Sequence, residues 1–262
     1  MNWNRIKALV LRHLIIWPRN LEQITDVFYW PVLELLMWGF LTIYLIGSGI
    51  SNSSVVTFLL GSVMFWMIVN QSQYQMSITF MHEVWDRNLL NIFSTPVTPW
   101  EFLVAALIIS LTKYFITLFI LVTLAYLLYA FNIFTLGWYF IPFLVSLSAM
   151  GWIAGIFITG LIVRVGQGAS SFAWTLLSIM QPFSAVFYPL SVLPGWAQNI
   201  GRFLPSTYIF EGMRSVLATG QMNMSYLYIS FLLNFIYLIL ALLFYRLMFK
   251  IAMEKGLLIK FT

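Results

Sequence analysis

Residues 103–129 read LVAALIISLTKYFITLFILVTLAYLLY, and Lys113 is the only charged residue among them. A helix needs about 20 predominantly apolar residues to cross the hydrocarbon core of a bilayer. The stretch is too long and too continuous for a barrel strand, in which apolar residues alternate over about ten positions. Because backbone groups in lipid must be paired within the segment, we expect a membrane-spanning helix here.

The rest of the chain has the same character. Of its 262 residues, 61% are hydrophobic and 8% are charged, against roughly 25% charged residues in soluble domains. This composition excludes a water-soluble globular domain and a disordered chain. The absence of cysteine and the presence of only two histidines argue against a metal site. The net charge of +5 fits basic cytoplasmic loops, so we expect no nucleic-acid partner.

The charged residues fall in clusters that separate six apolar stretches. We predict an all-α polytopic membrane protein with one transmembrane domain over residues 1–262. The six predicted spans are residues 27–47, 56–80, 103–129, 138–162, 170–190 and 225–249.

The distribution of Lys and Arg predicts the orientation of these spans. With the N-terminus inside, ten of these residues fall in inner segments and two, Arg202 and Arg214, fall in outer segments. This bias places both termini in the cytoplasm, including a basic tail over residues 246–262.

The first 26 residues have the pattern of an interfacial segment. Six apolar residues can share one side of a helix over residues 3–17, and the basic residues fall largely elsewhere. Such a helix lies at the membrane surface with its basic face toward anionic lipid headgroups. We expect Pro18 and Asn20 to end it; the alternative is a soluble cytoplasmic helix. The apolar side is formed by Trp3, Ile6, Leu9, Val10, Leu14 and Trp17.

The inner connection after the second span predicts a short amphipathic helix over residues 82–93. Pro96 and Pro99 then break the chain. Thr98 can cap the next helix, with Glu101 in its first turn. This short helix and turn, over residues 82–100, either dock a cytoplasmic partner or simply anchor the bundle at the interface.

The outer segment at residues 182–214 contains four of the nine prolines. The pieces between the prolines are too short to span the membrane and too apolar for a free loop. This pattern predicts a re-entrant helical hairpin that protein buries.

These two segments resemble the type-2 ABC transporter permeases, which export polysaccharides, lipids and drugs. The inner pattern is Glu83…Leu89…Thr95-Pro96-Val97…Glu101. The outer pattern is Pro182…Phe187-Tyr188-Pro189…Leu193-Pro194-x-Trp196…Leu204-Pro205-x-x-Tyr208…Glu211-x-x-Arg214. The similarity covers the whole chain, with the segments in the same order and on the expected sides of the membrane.

The resemblance implies a permease that dimerises, with a homodimer expected, in a bacterial-type inner membrane. It implies that a separate ATP-binding subunit carries ATP and Mg²⁺, and that this chain is not itself an enzyme. The sequence indeed has no Gly-x-x-x-x-Gly-Lys-Ser/Thr motif to hold ATP. The residues implied to contact that subunit are Glu83, Val84, Trp85, Asp86, Arg87, Leu89 and Leu90. The implied outer signature is Pro189, Pro194, Trp196, Pro205, Tyr208, Glu211 and Arg214.

Two charged residues, Glu34 and Lys113, lie inside predicted spans. An intramembrane charge faces protein or a water-filled path. The two residues therefore either form a buried ion pair between the first and third spans, or line the path, or extend to the inner surface.

A polar face also occurs in the second span. Its uncharged side chains either form hydrogen bonds between neighbouring helices or line the transport path. If they line the path, we expect a polar cargo, such as one with sugar hydroxyls. The residues on this face are Asn70, Gln73, Tyr74 and Ser77.

Two other classes of function compete with the permease. An ion-coupled secondary transporter predicts inverted repeats and intramembrane acids, and only Glu34 is of that kind. A membrane-embedded enzyme needs a set of catalytic side chains, and no such set is visible. For the permease, we expect an amphipathic or glycan-bearing cargo such as a lipid-linked polysaccharide, with a drug or antibiotic as the alternative.

Overall fold

The computed structural model describes residues 1–48 and 53–256. It is 88% helical, with no strand in these residues, which confirms the all-α prediction. The described helices are α1 (Trp3–Ile16), α2 (Leu21–Gly47), α3 (Ser53–Trp85), α4 (Leu89–Ser94), α5 (Pro99–Tyr129), α6 (Phe140–Val165), α7 (Ser170–Met180), α8 (Gly195–Arg202), α9 (Pro205–Thr219) and α10 (Met224–Glu254).

Four segments of the described residues are long and apolar enough to cross a membrane. They match the first, third, fourth and sixth predicted spans, although the first begins at Leu21 rather than at residue 27. α3 is 33 residues long but is not among the four; its inner half carries the polar residues. The count of six spans therefore stays a prediction. The four segments are Leu21–Leu45, Pro99–Tyr129, Leu136–Val165 and Met224–Glu254.

The continuous span predicted over residues 170–190 is not found. α7 has 11 residues and ends at Met180, and a 3-10 turn follows over Gln181–Phe183. Pro182 explains this early end, because it has no backbone N–H to continue the helical hydrogen bonds. At 1.5 Å per residue, α7 is about 16 Å long, roughly half the thickness of the hydrocarbon core.

α3 lies at the centre of the bundle and packs most closely against α6. Gly151 and Gly155, one helical turn apart on α6, face α3 directly. A side chain at Gly151 would meet the carbonyl oxygen of Val69, and one at Gly155 would meet the Cβ of Met76. Small residues at this spacing let two membrane helices approach closely.

The inner connection differs from the single helix predicted over residues 82–93. α3 continues to Trp85, a turn follows, and α4 begins only at Leu89. The turn places Arg87 in the left-handed region, at a φ of 52°. α3 extends this far because its inner end, including Phe80 and Val84, is buried against neighbouring helices.

The predicted start of the next helix is confirmed. Thr98 caps α5, Pro99 is its first residue, and Glu101 completes a reciprocal capping box. Side chain and backbone thus satisfy each other's hydrogen bonds at the point where the chain turns back toward the bundle.

The N-terminal helix predicted over residues 3–17 is confirmed as α1. It ends at Ile16, and Pro18 lies in the short 3-10 turn that leads into α2. α1 packs against α5, with Ile6 and His13 buried. Its position at the membrane surface stays a prediction.

The outer segment contains two helices, each of which begins at or directly after a proline. α8 and α9 meet at Phe203 and Leu204, and α9 is largely buried against α10 and α6. That this segment forms a re-entrant hairpin stays a prediction. The predicted tail begins within α10, and its residues 257–262 lie outside the described residues, as do residues 49–52.

Candidate functional site

The first part of the candidate site is the turn between α3 and α4, at the end of the bundle near α1. The structure separates the seven predicted contact residues into two groups. Glu83, Val84 and Leu89 are buried and hold the turn in place. The exposed members, available to another protein, are Trp85, Asp86, Arg87 and Leu90.

The buried carboxylate of Glu83 holds this turn in place through its hydrogen bonds. Its carboxylate accepts hydrogen bonds from the Arg12 guanidinium and, at 2.8 Å, from the side-chain amide of Asn88. The backbone N–H of Asn88 also donates to the carbonyl oxygen of Glu83, at 2.9 Å. The turn is therefore connected to both α1 and α3, so a force applied to the turn acts on both helices.

A second buried carboxylate, Glu101, joins α1 to α5. It accepts hydrogen bonds from the backbone N–H groups of Asn2, at 2.6 Å, and Thr98, at 2.9 Å. Arg5 Nη1 lies 3.6 Å from its carboxylate. The N-terminal helix is thus attached to α3 through Glu83 and to α5 through Glu101.

A groove of about 360 Å³ runs between α1 and the turn after α4. Arg5 and Arg12 contribute positive charge to its wall, and Leu9, Ile92 and Val97 contribute apolar surface. A groove with apolar walls and a basic rim suits a protein surface that presents both apolar and acidic side chains.

A group of basic side chains lies beneath this surface. His13 is buried on α1, with Arg12, His82 and Lys113 close enough to repel its charged form. Burial and these neighbours lower the pKa of His13 to about 3. His13 is therefore neutral at physiological pH, and its Nε2 has no hydrogen-bond partner.

The second part of the candidate site is a cavity of about 220 Å³ between α2, α3 and α7. Two carboxylates from α2 line it, together with three aromatic side chains and amides from α3. It opens at the surface of the single chain. The polar and aromatic lining residues are Asp26, Trp30, Glu34, Asn70, Gln71, Gln73, Tyr74, Trp174 and Ser178.

Asp26 is held at the base of this cavity. The Tyr74 hydroxyl donates to Asp26 Oδ2 at 2.9 Å. The Gln71 amide donates to the carbonyl oxygen of Asp26 and to the Thr117 hydroxyl, both at 3.3 Å. These hydrogen bonds connect α2, α3 and α5.

The polar face predicted on α3 divides between the two roles left open above. Gln73 donates to the carbonyl oxygen of Ala173 and to the Ser77 hydroxyl, both at 3.1 Å, and so joins α3 to α7. Ser77 is fully buried and does not line the cavity. Asn70 and Tyr74 are partly exposed and do line it.

The predicted ion pair between Glu34 and Lys113 is not formed in the described residues. Lys113 is buried, donates to Gln23 Oε1 at 3.2 Å, and has the Trp17 ring 5.7 Å away. Its electrostatic partner is Asp26. Glu34 instead lines the cavity, because Gln23 and Asp26, nearer the start of α2, occupy the surroundings of Lys113.

The outer signature residues hold the proline-rich segment together. Glu211 Oε1 accepts from the backbone N–H of Leu190 at 2.6 Å and lies 3.0 Å from Arg214 Nη1. Arg214 also donates to the carbonyl oxygen of Ala185 and lies over the Phe58 ring, 4.4 Å from its centroid. Burial lowers the pKa of Arg214, and Glu211 opposes that shift.

The remaining signature residues act at the ends of the outer helices. Pro194 immediately precedes α8, and Pro205 is the first residue of α9. The Tyr208 hydroxyl donates to the carbonyl oxygen of Arg202 at 2.8 Å. Pro189 precedes a 3-10 turn, and the exposed Trp196 packs edge-on against Phe183.

The cavity residues that the sequence did not lead us to predict include Asp26, Trp30 and Trp174. The signal was present for two of them. Asp26, Trp30 and Glu34 recur every four residues and so share one face of a helix. Asp26 was assigned to the interfacial segment because the predicted first span began one residue later. In the described residues, no cluster of three His, Asp or Glu residues could hold a metal ion.

Comparison with known proteins gives a family match. The family model described as ABC-2 type transporter matches residues 4–218, which is most of the chain and includes the inner turn, the cavity and the outer signature. No curated protein matches the chain.

Proposed function

We propose that this chain, which belongs to the ABC-2 type transporter family, is the membrane-spanning permease subunit of an ATP-driven exporter. A separate ATP-binding subunit, which holds ATP and Mg²⁺, supplies the hydrolysis. The exposed turn between α3 and α4 carries this proposal, because its buried anchors connect it to the helices of the bundle.

The proposed docking surface consists of the exposed turn and the adjacent basic groove. Trp85 and Leu90 provide apolar contact, and Asp86 and Arg87 provide charge. A partner held there would move Glu83 and Arg12 together, because these two residues are paired. Closure of ATP-binding subunits would in this way act on α1, α3 and α5.

The proposed assembly is a homodimer in a bacterial-type inner membrane, with both termini in the cytoplasm. The cavity between α2, α3 and α7 supports the dimer. It opens at the surface of the single chain, where lipid would contact the partly exposed Glu34 and Asn70. Exposure of carboxylates and amides to hydrocarbon is unfavourable, so a second copy facing this side would enclose them in a shared path.

The proposed cargo is an amphipathic or glycan-bearing molecule such as a lipid-linked polysaccharide. Aromatic and polar side chains occur together in the cavity, which suits a molecule with both kinds of surface. A drug or antibiotic is the alternative cargo. An ion-coupled secondary transporter is the less favoured function, because the family works with an ATP-binding subunit.

Co-purification with an ATPase assay tests the proposal. The tagged chain is isolated from its native membrane in mild detergent, and proteins that accompany it are identified. The test variant is Asp86→Ala/Arg87→Ala/Leu90→Ala, which changes exposed residues only. The control is Lys250→Ala/Glu254→Ala, which removes an exposed ion pair elsewhere on the chain.

We expect an ATP-binding subunit to accompany the wild type and the control but to be lost from the test variant. A chain that purifies without any ATP-binding protein, or a test variant that retains one at wild-type yield, would contradict the proposed coupling surface.

A further inference from the structure

We propose that the cavity between α2, α3 and α7 binds a cationic amine or quaternary ammonium group of the transported molecule. The inference deepens the proposed function and depends on it, since it assigns the cavity to the cargo. It follows from the lining of the cavity: two carboxylates and three aromatic rings surround a volume of about 220 Å³.

The two carboxylates are not equivalent. Asp26 is 92% buried, receives a hydrogen bond from Tyr74 and is attracted by the Lys113 ammonium. Glu34 lies eight residues further along α2, about 12 Å along the axis at 1.5 Å per residue. In the described residues no cation or hydrogen-bond donor acts on the Glu34 carboxylate. A partly buried carboxylate inside a span is costly without a counter-charge, and a cationic ligand would supply one.

Aromatic rings lie beside these carboxylates. Trp30 stands midway between Asp26 and Glu34 on the same face of α2, and it is 59% exposed. Across the cavity, Trp174 packs against Tyr74 with ring centroids 4.5 Å apart and remains 55% exposed. The faces of tryptophan and tyrosine attract ammonium groups, most strongly where water is displaced.

The geometry favours an organic cation over a metal ion. Hard metal ions need about six oxygen ligands at 2 to 2.6 Å, but the two carboxylates are two helical turns apart. The cavity is also smaller than the roughly 300–1,000 Å³ of pockets that enclose drug-sized molecules. It therefore suits the charged end of a longer amphipathic molecule.

The proposed cation site differs from the neutral path expected for the polar face of α3 taken alone. Asn70 and Tyr74 on α3 alone predict a polar, neutral surface that suits sugar hydroxyls. The structure adds two acidic residues of α2 to the same wall. The cavity is therefore acidic, and it should bind a cation in preference to a neutral sugar.

Direct binding of a small cation tests the inference. The purified chain in octaethylene glycol monododecyl ether, a nonionic detergent without sugar, is dialysed against radiolabelled benzyltrimethylammonium. Unlabelled benzyl glucoside, which has the same aromatic ring and a neutral sugar, serves as the competing probe. The variants are Glu34→Gln and Glu34→Asp, and the matched control is Glu22→Gln, an exposed carboxylate on α2 outside the cavity.

We expect saturable binding that the glucoside does not displace. Glu34→Gln should weaken it about tenfold, since removing one charge near a cation in a partly buried site costs at least that much. Glu34→Asp should retain most of the affinity, and Glu22→Gln all of it. If Glu34→Gln fails to elute as the wild type does on size exclusion, Trp174→Leu replaces it, with an expected loss of about fivefold.

Absence of saturable binding, equal displacement by the glucoside, or wild-type affinity in Glu34→Gln would overturn the inference. The assay needs no ATP-binding subunit, so it separates the two proposals. A chain that retains its ATP-binding partner but does not bind the cation refutes the cation site alone. A chain that binds the cation but has no such partner refutes the exporter alone.

Discussion

The Arg12 guanidinium pairs with the buried carboxylate of Glu83, and this contact joins the N-terminal helix to the inner end of α3. The Glu83 side chain is 7% exposed and that of Arg12 is 37% exposed. The pair therefore lies at the edge of the protein interior, directly beneath the turn proposed to dock the ATP-binding subunit. Loss of either residue would leave the charge of the other without its ion-pair partner and would make the turn less rigid.

We predict that Arg12→Met lowers the free energy of unfolding by about 2 kcal/mol, because Glu83 would remain buried with only Asn88 as a side-chain donor. Glu83→Gln should cost less. The double variant should be more stable than the sum of the two losses predicts, which a double-mutant cycle in detergent would measure.

Lys250→Met is the control for this cycle. Its partner Glu254 lies 3.8 Å away, and both side chains are more than half exposed. We expect Lys250→Met to leave the free energy of unfolding nearly unchanged, as for most exposed ion pairs. Additive losses for Arg12→Met and Glu83→Gln would show that the pair contributes no coupling.

Gly155→Val should disrupt the packing of α6 on α3. The new side chain would collide with the Cβ of Met76 and with the carbonyl oxygen of Gln73, which belongs to the α3 backbone. We expect a loss of about 3 kcal/mol or failure to assemble, because backbone cannot shift as a flexible side chain can. Thermal unfolding followed by size exclusion measures the change.

Gly195→Ala is the matched control for Gly155→Val. Nothing lies within 4 Å of the position that its side chain would occupy. An unchanged stability for Gly155→Val would mean that α3 and α6 do not approach each other at this point.

Local sequence signals predicted several helix ends correctly. The start of α5 is an example, because the capping box of Thr98 and Glu101 involves residues three positions apart. Pro18 and Pro182 likewise end helical runs through their own covalent geometry. Such features need no knowledge of which helices meet.

The pairing of distant residues could not be predicted in this way. From their positions in the sequence, Glu34 and Lys113 could form an ion pair, but in the structure Gln23 and Asp26 on α2 face Lys113 instead. The end of α3 could not be predicted for the same reason, because it depends on contacts between helices. Whether the helix stops before His82 or continues to Trp85 depends on whether Val84 is buried by other helices.

Acidic pH should destabilise the attachment of α1. The pKa of His13 is about 3 in the folded chain and about 6.5 when unfolded. The unfolded state therefore binds more protons between these values, and stability falls as pH drops below about 6.5. Between pH 7.5 and pH 5 we expect a loss of about 2 kcal/mol from this group.

His13→Gln should remove this part of the pH dependence, since glutamine does not titrate. Thermal midpoints of the wild type and the variant, measured from pH 5 to pH 8, would show it as a flatter curve. Identical slopes for the two proteins over this range would mean that His13 is not buried in its neutral form.

Arg214→Lys should loosen the outer segment even though it keeps the positive charge. The Arg214 guanidinium contacts Glu211, the carbonyl oxygen of Ala185 and the face of Phe58 together, whereas a lysine ammonium presents one compact charge. We expect faster amide hydrogen exchange, by about thirtyfold, over residues 185–193, because two of these contacts would be lost at about 1 kcal/mol each. Arg202→Lys is the control, since Arg202 is exposed, its side chain donates no hydrogen bond in the described residues, and its backbone carbonyl accepts from Tyr208. Equal exchange in the two variants would show that the planar guanidinium is not what holds the outer segment, and that the charge on residue 214 is enough.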